Sequence, residues 1–375
     1  MSQRGEQLAG EAPPAAQSPW VQLRSASHHP FVYRKMIGAE DPAARAGDIV
    51  NVYDKAGRLF GRGLYNPHSQ IVVRMLAWGA AAIDTDFWRA RLEQAVALRR
   101  LLRLDEGTDA YRLVHAEGDG LTGLIVERYA DVLAFEFFSK GMFQRHAELA
   151  GLLAELLGPP AALDRPDRAG PQWHMVFRAD QRIERLEKFR LPARPPAPER
   201  VTIREHGLRY RVDLKQGHKT GFFCDQRDNR RRLADLCRDA TVLDLCCYTG
   251  GFSLCAARLG GAREVTGVDL DEAAVALARE NANLNQTRVD FVYADAFTYM
   301  RQMHANARQF DVVVLDPPKL VTYRPELDDG LRKYHDLNHL AVQMVRPGGV
   351  LVTCSCSGLV APAAFTEAVY KAAQR

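Results

Sequence analysis

The sequence predicts an α/β protein: a doubly wound, mostly parallel sheet in the second half, preceded by a small β-barrel and a central α+β domain. Three observations carry this expectation. From about residue 197 to the end, strand-like and helix-like segments alternate, as they do when parallel strands are joined by crossover helices. Over 20–78, short β-branched runs are separated by turn residues, the pattern of a small barrel. Between them, 79–196 mixes both periods. The 375 residues are 47% apolar and 26% charged, ordinary for a folded chain of two or three domains. No apolar run reaches the ~20 residues that a membrane-spanning helix requires. The opening MSQRGEQLAGEAPPAAQSPW has no apolar core of a secretory signal. Residues 1–19 are therefore expected to be a disordered tail, and the protein to be cytoplasmic and away from membranes.

The elements follow in order. Gly47-Asp48 precedes IVNVYD, Lys55-Ala56-Gly57 turns into RLFGRGLYN, and SQIVVRML follows Pro67. From Asp84 the apolar residues of DFWRARLEQAVALRRLLRL take helical spacing, with Asp84 or Thr85 as the cap. YRLVHAEGDGLTGLIVERYADVLAFEFF reads as a strand, a Gly-rich turn and a hairpin about Tyr129-Ala130-Asp131. RHAELAGLLAELLG is a helix ending at Gly158-Pro159-Pro160, and PARPPAP (Pro192–Pro198) is the linker. After it, TVLDLCC, EVTGVDL, VDFVYAD, FDVVVLDPP and GGVLVTCSC read as strands, with GGFSLCAARLG and DEAAVALARENANLN as helices between them.

Seven cysteines, none before Cys224, do not make a disulfide framework in a chain of this length, which agrees with a reducing compartment. Cys246-Cys247 and the Cys354/Cys356 pair lack the spacing of zinc knuckles, so no metal is expected. The net charge of +4 is unevenly spread. Residues 20–78 hold eight Lys/Arg against four Asp/Glu, and 182–232 hold fifteen against seven. Basic patches on a nearly neutral background suit a polyanion such as RNA, although a solvated surface has the same counts.

Acidic residues stand at the ends of successive expected strands, where an open α/β sheet binds ligands. The first strand runs through Asp244 into Cys246-Cys247-Tyr248-Thr249-Gly250-Gly251, a glycine turn that is neither G-x-G-x-x-G nor a Walker loop. Asp269 follows 25 residues later, suited to accept from both ribose hydroxyls, and Asp295 from an adenine amino group. Asp316-Pro317-Pro318 closes the fourth strand. Each acid alone is equally a helix cap. Together they describe a pocket for adenosine joined to an amino-acid-like group, which is S-adenosylmethionine.

QGHKTGFFCDQRDNR (Gln216–Arg230), CYTGGFS (Cys247–Ser253), LDPPK (Leu315–Lys319) and TCSCSGL (Thr353–Leu359) resemble the signatures of the bacterial RlmI-type family of 23S rRNA cytosine-5 methyltransferases. HPFVYRKMI (His29–Ile37) and GLYNPHSQI (Gly63–Ile71) resemble that family's N-terminal PUA barrel, and EGDGLTGLIVERY (Glu117–Tyr129) its central α+β domain. The resemblance runs from about residue 20 to the end. It implies a class I methyltransferase domain with a Rossmann-like fold over 197–375, a PUA-like RNA-binding barrel over 20–78 and a central α+β domain over 79–196. It also implies that Gln226 and the loop of Tyr248, Thr249, Gly250 and Gly251 flank the methionine end of the cofactor, beside Asp269 and Asp295.

Carbon-5 of cytosine is a poor nucleophile, and enzymes that methylate it usually first add a thiolate to carbon-6. Strand alternation does not choose between Cys354 and Cys356; the resemblance assigns Cys356, the cysteine before Ser-Gly-Leu. Asp316 is the expected partner of cytosine N3. Enzymes that methylate base amines commonly place an aromatic after the two prolines; here Lys319 stands there, suited to phosphate or the base edge. Arg34, Lys35, Arg62 and Arg74 are the expected phosphate contacts of the barrel, with Arg227 and Arg230–Arg232 extending the track. The expected partner is thus large-subunit rRNA, with at most a weak homodimer. Two other readings stand beside it: a related RNA methyltransferase with another target, and a catalytically impaired RNA-binding protein of ribosome assembly. Two departures are noted. Members of the family usually continue with strands completing the sheet, so one sheet edge is expected to be uncovered. Asp164–Arg178 also departs from the family's usual strand.

Overall fold

The computed structural model describes residues 16–160, 172–192, 198–215 and 221–374. The chain forms two compact units, Met1–Val201 and Thr202–Arg375. Most of the expected linker Pro192–Pro198, and residues 1–15 of the expected tail, lie outside the described residues.

The N-terminal unit begins with six strands: β1 (Trp20–Leu23), β2 (Phe31–Tyr33), β3 (Ile37–Glu40), β4 (Ile49–Tyr53), β5 (Leu59–Tyr65) and β6 (Ile71–Trp78). They form one sheet in the order β2-β6-β5-β4-β1-β3, with a core that includes Val21, Val32, Val50, Val52, Tyr65 and Val73, all inaccessible to solvent. Helix α1 (Thr85–Leu101) follows, and the Asp84 carboxylate caps it by accepting from the Phe87 N–H at 3.0 Å, a contribution of about 1 kcal/mol. Trp88, Leu92, Ala95, Val96 and Arg99 recur on its buried face at the spacing of an amphipathic helix.

A short helix α2 (Leu104–Gly107) leads to β7 (Ala110–His115), β8 (Leu124–Tyr129) and β9 (Val132–Phe137); α3 (Lys140–Gln144) and α4 (His146–Leu157) come next. Strand β10 (His174–Arg178) pairs parallel with β9 and completes a sheet ordered β10-β9-β8-β7. The segment that departs from its family pattern therefore still supplies a strand at its described end. Helix α5 (Gln181–Glu187) closes the unit, its Glu187 accepting from Asn66 Nδ2 at 2.7 Å.

The C-terminal part opens with a pair that the sequence reading did not single out, β11 (Arg200–Glu205) and β12 (Leu208–Asp213). His206 and Gly207 between them have φ of 52° and 80°, as a two-residue hairpin turn demands. After α6 (Arg227–Ala234) come β13 (Thr241–Leu245), α7 (Gly251–Arg258), β14 (Glu264–Asp269), α8 (Glu272–Leu284), β15 (Asp290–Tyr293), α9 (Ala296–Ala305), β16 (Phe310–Leu315), α10 (Leu327–Met344), β17 (Val345–Thr353) and α11 (Pro362–Ala373). The sheet order is β15-β14-β13-β16-β17, parallel throughout.

Burial on both faces explains the uninterrupted apolar run of β16. Val313 and Leu315 pack with Leu337 and Met344 on one face, whereas Val312 and Val314 pack with Phe252 and Ala256 on the other. This alternation places helices on both sides, as the sequence predicts. Among the described residues, no helix is long and apolar enough to cross a membrane.

Candidate active site

Because all five strands run the same way, the loops after β13, β14, β15, β16 and β17 gather at one end of the sheet, where such sheets bind ligands. The loop after β13 is held in an unusual backbone. Cys246, Tyr248 and Gly250 have φ of 61°, 50° and 82°, left-handed values that non-glycine residues adopt only under outside constraint. Here the constraint is visible: the Tyr248 N–H donates to Asp269 Oδ2 at 2.7 Å, and its hydroxyl donates to the Gly221 carbonyl at 3.3 Å. The two glycines serve packing as well as ligand approach. A Cβ on Gly250 would stand 2.8 Å from the Phe291 ring, and one on Gly251 3.0 Å from the Arg230 side chain. Thr249 is buried, and its carbonyl accepts from Asn281 Nδ2.

The acids differ in what they already hold. Asp269 is not a helix cap; Asp271 caps α8. Each Asp269 oxygen accepts one backbone N–H, from Tyr248 and Asp271, which leaves each oxygen a lone pair for a hydroxyl. Asp295 does cap α9, with Oδ1 accepting from the Thr298 N–H and hydroxyl. This leaves Oδ2 as the oxygen that could accept from a base amine.

Asp244 is more informative than the sequence indicated. It is fully buried, its Oδ2 accepts from the Ser253 N–H and hydroxyl at 2.9 and 2.6 Å, and its Oδ1 has no partner among the described residues. Burial, with Asp316 and Asp269 nearby, pushes its carboxyl up to about 7 against the pull of Ser253. A buried acceptor without a donor is costly, and a cationic donor such as the ammonium of S-adenosylmethionine would satisfy it. The donor set fits that cofactor: acceptors at the ends of β13, β14 and β15, and a strained glycine turn between them.

Gln226 reaches the turn after β16. Its Nε2 donates to Asp316 Oδ2 at 3.0 Å, and its Oε1 accepts from Asn229. Strand β17 stops at Thr353, so the expected strand through Cys356 ends three residues early and alternation no longer relates the two cysteines. Cys354 is half-buried; burial, with Asp316 nearby, pushes its thiol up to about 11, and a Gln226 hydrogen bond only partly offsets this. Cys237, Cys246, Cys247 and Cys255 are likewise raised by burial. Cys356 is exposed, with Sγ 4.0 Å from the Pro317 carbonyl in the turn that carries Asp316. Lys319, two residues on, is exposed.

A polar knot fixes that turn. The Ser357 hydroxyl accepts from the Leu320 and Val321 N–H groups at 3.1 Å and meets the Tyr334 hydroxyl at 2.9 Å. Ser355 Oγ donates to Tyr334 at 2.8 Å. Nothing local in the sequence marks Tyr334, because it reaches the site from α10, some twenty residues away.

The basic residues need correction. Arg74 is 8% exposed; it lies over the Phe31 ring, donates to the Phe138 carbonyl and pairs with Glu117, so it braces the unit and does not face phosphate. Arg230 is 3% exposed and bidentate on buried Glu205 at 2.7 and 2.8 Å, which removes it from the basic track. Arg34 is half-exposed but engaged by Glu40 and the Pro67 carbonyl. Arg62 donates to Asn51 and to the carbonyls of Ala80 and Ala81. Arg227 and Arg231 pair with Asp228 and Asp235. Lys35 stays exposed on a single 3-10 turn, Arg34–Met36.

Comparison with known proteins agrees with this fold. Residues 151–374 match the family of S-adenosylmethionine-dependent methyltransferases, and 22–78 match a PUA-like domain. The chain is 36% identical to ribosomal RNA large subunit methyltransferase I of Klebsiella pneumoniae (strain 342), over 92% of this chain and 85% of that protein. It is also 36% identical to the same-named protein of Aliivibrio fischeri (strain MJ11), over 92% and 86%. Among solved structures, one assigned as a S-adenosylmethionine-dependent methyltransferase from Streptococcus mutans shares the fold at a TM-score of 0.71 and 22% identity, over 88% of this chain and 82% of that one. The parallel sheet, its acid-lined end and this extent of likeness place the chain in the family of ribosomal RNA large subunit methyltransferase I, S-adenosylmethionine-dependent methyltransferases with an N-terminal PUA-like domain.

Proposed function

We propose that the protein methylates carbon-5 of a cytosine in large-subunit rRNA, with Cys356 as the nucleophile that adds to carbon-6. The observation that carries this reading is the exposed Cys356 thiol beside the Asp316 turn, next to a Cys354 whose thiol burial holds near 11. The thiolate is the reactive form of cysteine, so the two thiols are unequal candidates. S-adenosylmethionine, when bound, supplies an electrophilic methyl group; Asp244, Asp269, Asp295 and the loop Tyr248–Gly251 are the residues that would hold it.

The protein's own work is then threefold. Cys356 bonds to carbon-6 of the flipped base, which raises electron density at carbon-5. Asp316, oriented by Gln226, faces N3 and in its protonated form gives N3 a proton as the thiolate adds, neutralising the charge, and takes it back when the thiolate leaves. The Tyr334–Ser355–Ser357 knot holds the thiol and the carboxyl in register. Once the methyl is in place, the carbon-5 proton leaves to a base, the ring double bond re-forms and the thiolate is expelled. Arg62, Lys35, Arg34 and Lys319 are proposed to face the RNA backbone with whatever donors their internal bonds leave.

The test is methyl transfer from labelled S-adenosylmethionine to 23S rRNA lacking its modifications, with digestion to nucleosides. The expected product is 5-methylcytosine, abolished in Cys356→Ala and retained in Cys354→Ala. RNA carrying 5-fluorocytosine should trap a covalent adduct with the wild-type protein and none with Cys356→Ala. A label on an exocyclic amine, or an adduct that survives Cys356→Ala, would overturn the assignment.

A further inference from the structure

Within the N-terminal unit, a cavity of about 470 Å³ lies between the barrel and the central α+β part. Pro30, Met75, Leu76 and Trp78 line it from the barrel, Arg91, Gln94 and Leu98 from α1, and Glu117–Gly120 with Thr122 from the turn after β7. Its size is in the range of small-ligand sites. Resting on the RNA reading above, we infer that this cavity is a second RNA contact, which takes one unpaired nucleotide by stacking its base on Trp78 and accepting from its amino edge at Glu117.

Trp78 is the first support. It is 41% exposed, whereas Trp20 and Trp88 of the same unit are 5% and 2% exposed. It ends β6 with His28 stacked at 6.3 Å, and His28 in turn meets Phe60 edge-on at 5.5 Å. An aromatic cluster open to solvent is a stacking platform for bases. Met75 and Leu76 give the cavity an apolar floor.

The polar groups supply the second support, because one carboxylate oxygen has no internal partner among the described residues. Asp119 spends Oδ1 on Arg99 and Oδ2 on the His115 N–H. Glu117 takes the Thr122 hydroxyl, the Gly123 N–H and the Arg74 contact all on Oε1. Oε2 is left as an acceptor in the cavity wall. A carboxylate there accepts from the exocyclic amine of cytosine, adenine or guanine, whereas the one donor of an unpaired uracil, N3–H, is flanked by two carbonyl oxygens that repel the carboxylate.

Arg91 gives the third. It lies over the Phe87 ring, and its one hydrogen bond among the described residues, to Gln94, is long at 3.4 Å. It therefore keeps most of its donors for a phosphate.

The test uses the full chain and its intrinsic tryptophan fluorescence, titrated with short single-stranded oligomers of cytidine, adenosine or uridine. Cytidine and adenosine oligomers should bind roughly tenfold more tightly than uridine oligomers. Trp78→Ala should weaken them by roughly tenfold, within the range that base–aromatic stacking supplies, while Trp78→Phe retains most of the affinity. Arg91→Ala should weaken all three alike. Trp78 is exposed, so an unchanged melting curve accompanies these losses. Wild-type affinity in Trp78→Ala, with rRNA methylation intact, would overturn the cavity assignment alone. Equal binding of uridine oligomers would do the same, as would cytidine monophosphate binding as tightly as the oligomer. A wild-type protein that neither binds any oligomer nor methylates rRNA would bring down the RNA reading together with it.

Discussion

In the C-terminal unit, Asp244, Asp269, Asp295 and Asp316 reach one end of the sheet because strand direction puts them there. In the N-terminal unit, the arginines that charge counting singles out are largely consumed inside the fold: Arg74 on Phe31 and Phe138, Arg34 on Glu40, Arg62 on Asn51. The lesson is that an acid at the end of a parallel strand is placed by topology, whereas a cation in a basic stretch is placed by whatever carboxylate or carbonyl it meets. The two units share one device. Arg99–Asp119 and Arg230–Glu205 are ion pairs buried to 9% side-chain exposure or less.

The largest effect expected from this comparison concerns Arg230, which a charge count would assign to RNA. Glu205→Gln leaves the Arg230 guanidinium buried opposite a neutral amide and should lower unfolding stability by about 3–5 kcal/mol, read by urea denaturation. If Glu205→Gln weakened only RNA binding and left the midpoint unchanged, Arg230 would be a surface contact after all.

Next is a pair within the barrel. Arg74→Ala should cost about 1–3 kcal/mol by leaving polar partners unpaired, with any effect on RNA following from stability. Lys35→Ala should leave the melting curve alone and reduce the salt slope of rRNA binding by about one. The contrast collapses if Arg74→Ala folds as stably as wild type and shows the slope change expected of Lys35.

The smallest expected effect sharpens the acid side. The fold raises the Asp244 carboxyl to about 7, so its charged form is the disfavoured one. Stability in the absence of cofactor falls as pH climbs from the unfolded acid range near 4 toward 7. Asp269 and Asp316 face the same group and add to this penalty, while Ser253 opposes it. An ammonium donor favours the ionised form, so S-adenosylmethionine affinity should rise roughly fivefold between pH 6 and 7.5, before the ligand's own ammonium loses its proton. In Asp244→Asn both slopes should flatten, measured by calorimetry for binding and by denaturation for stability. A wild-type affinity flat over that range would remove Asp244 from the cofactor site.

Much of this is legible in the sequence. The alternation of strand and helix periods, the β-branched barrel strands and the Asp84 cap are local patterns, and each local pattern agreed with the fold. The strand-end acids were legible for the same reason: a strand end is a one-dimensional mark that topology turns into a place. Where the sequence stopped short, the deciding contact came from far along the chain. Tyr334 enters the site from α10, and Glu205 comes from a hairpin that composition did not announce.

The sequence by itself determined the fold class, the acid-lined end of the sheet and the pair of cysteines in Thr353-Cys354-Ser355-Cys356. Only the tertiary structure decided which of those thiols is open to solvent, which arginines are spent on internal partners, and that one Asp244 oxygen is buried without a donor. The physical reason is common to all three. Periodicity and spacing fix which side of an element a residue takes, but burial and pairing depend on what other elements bring to that side.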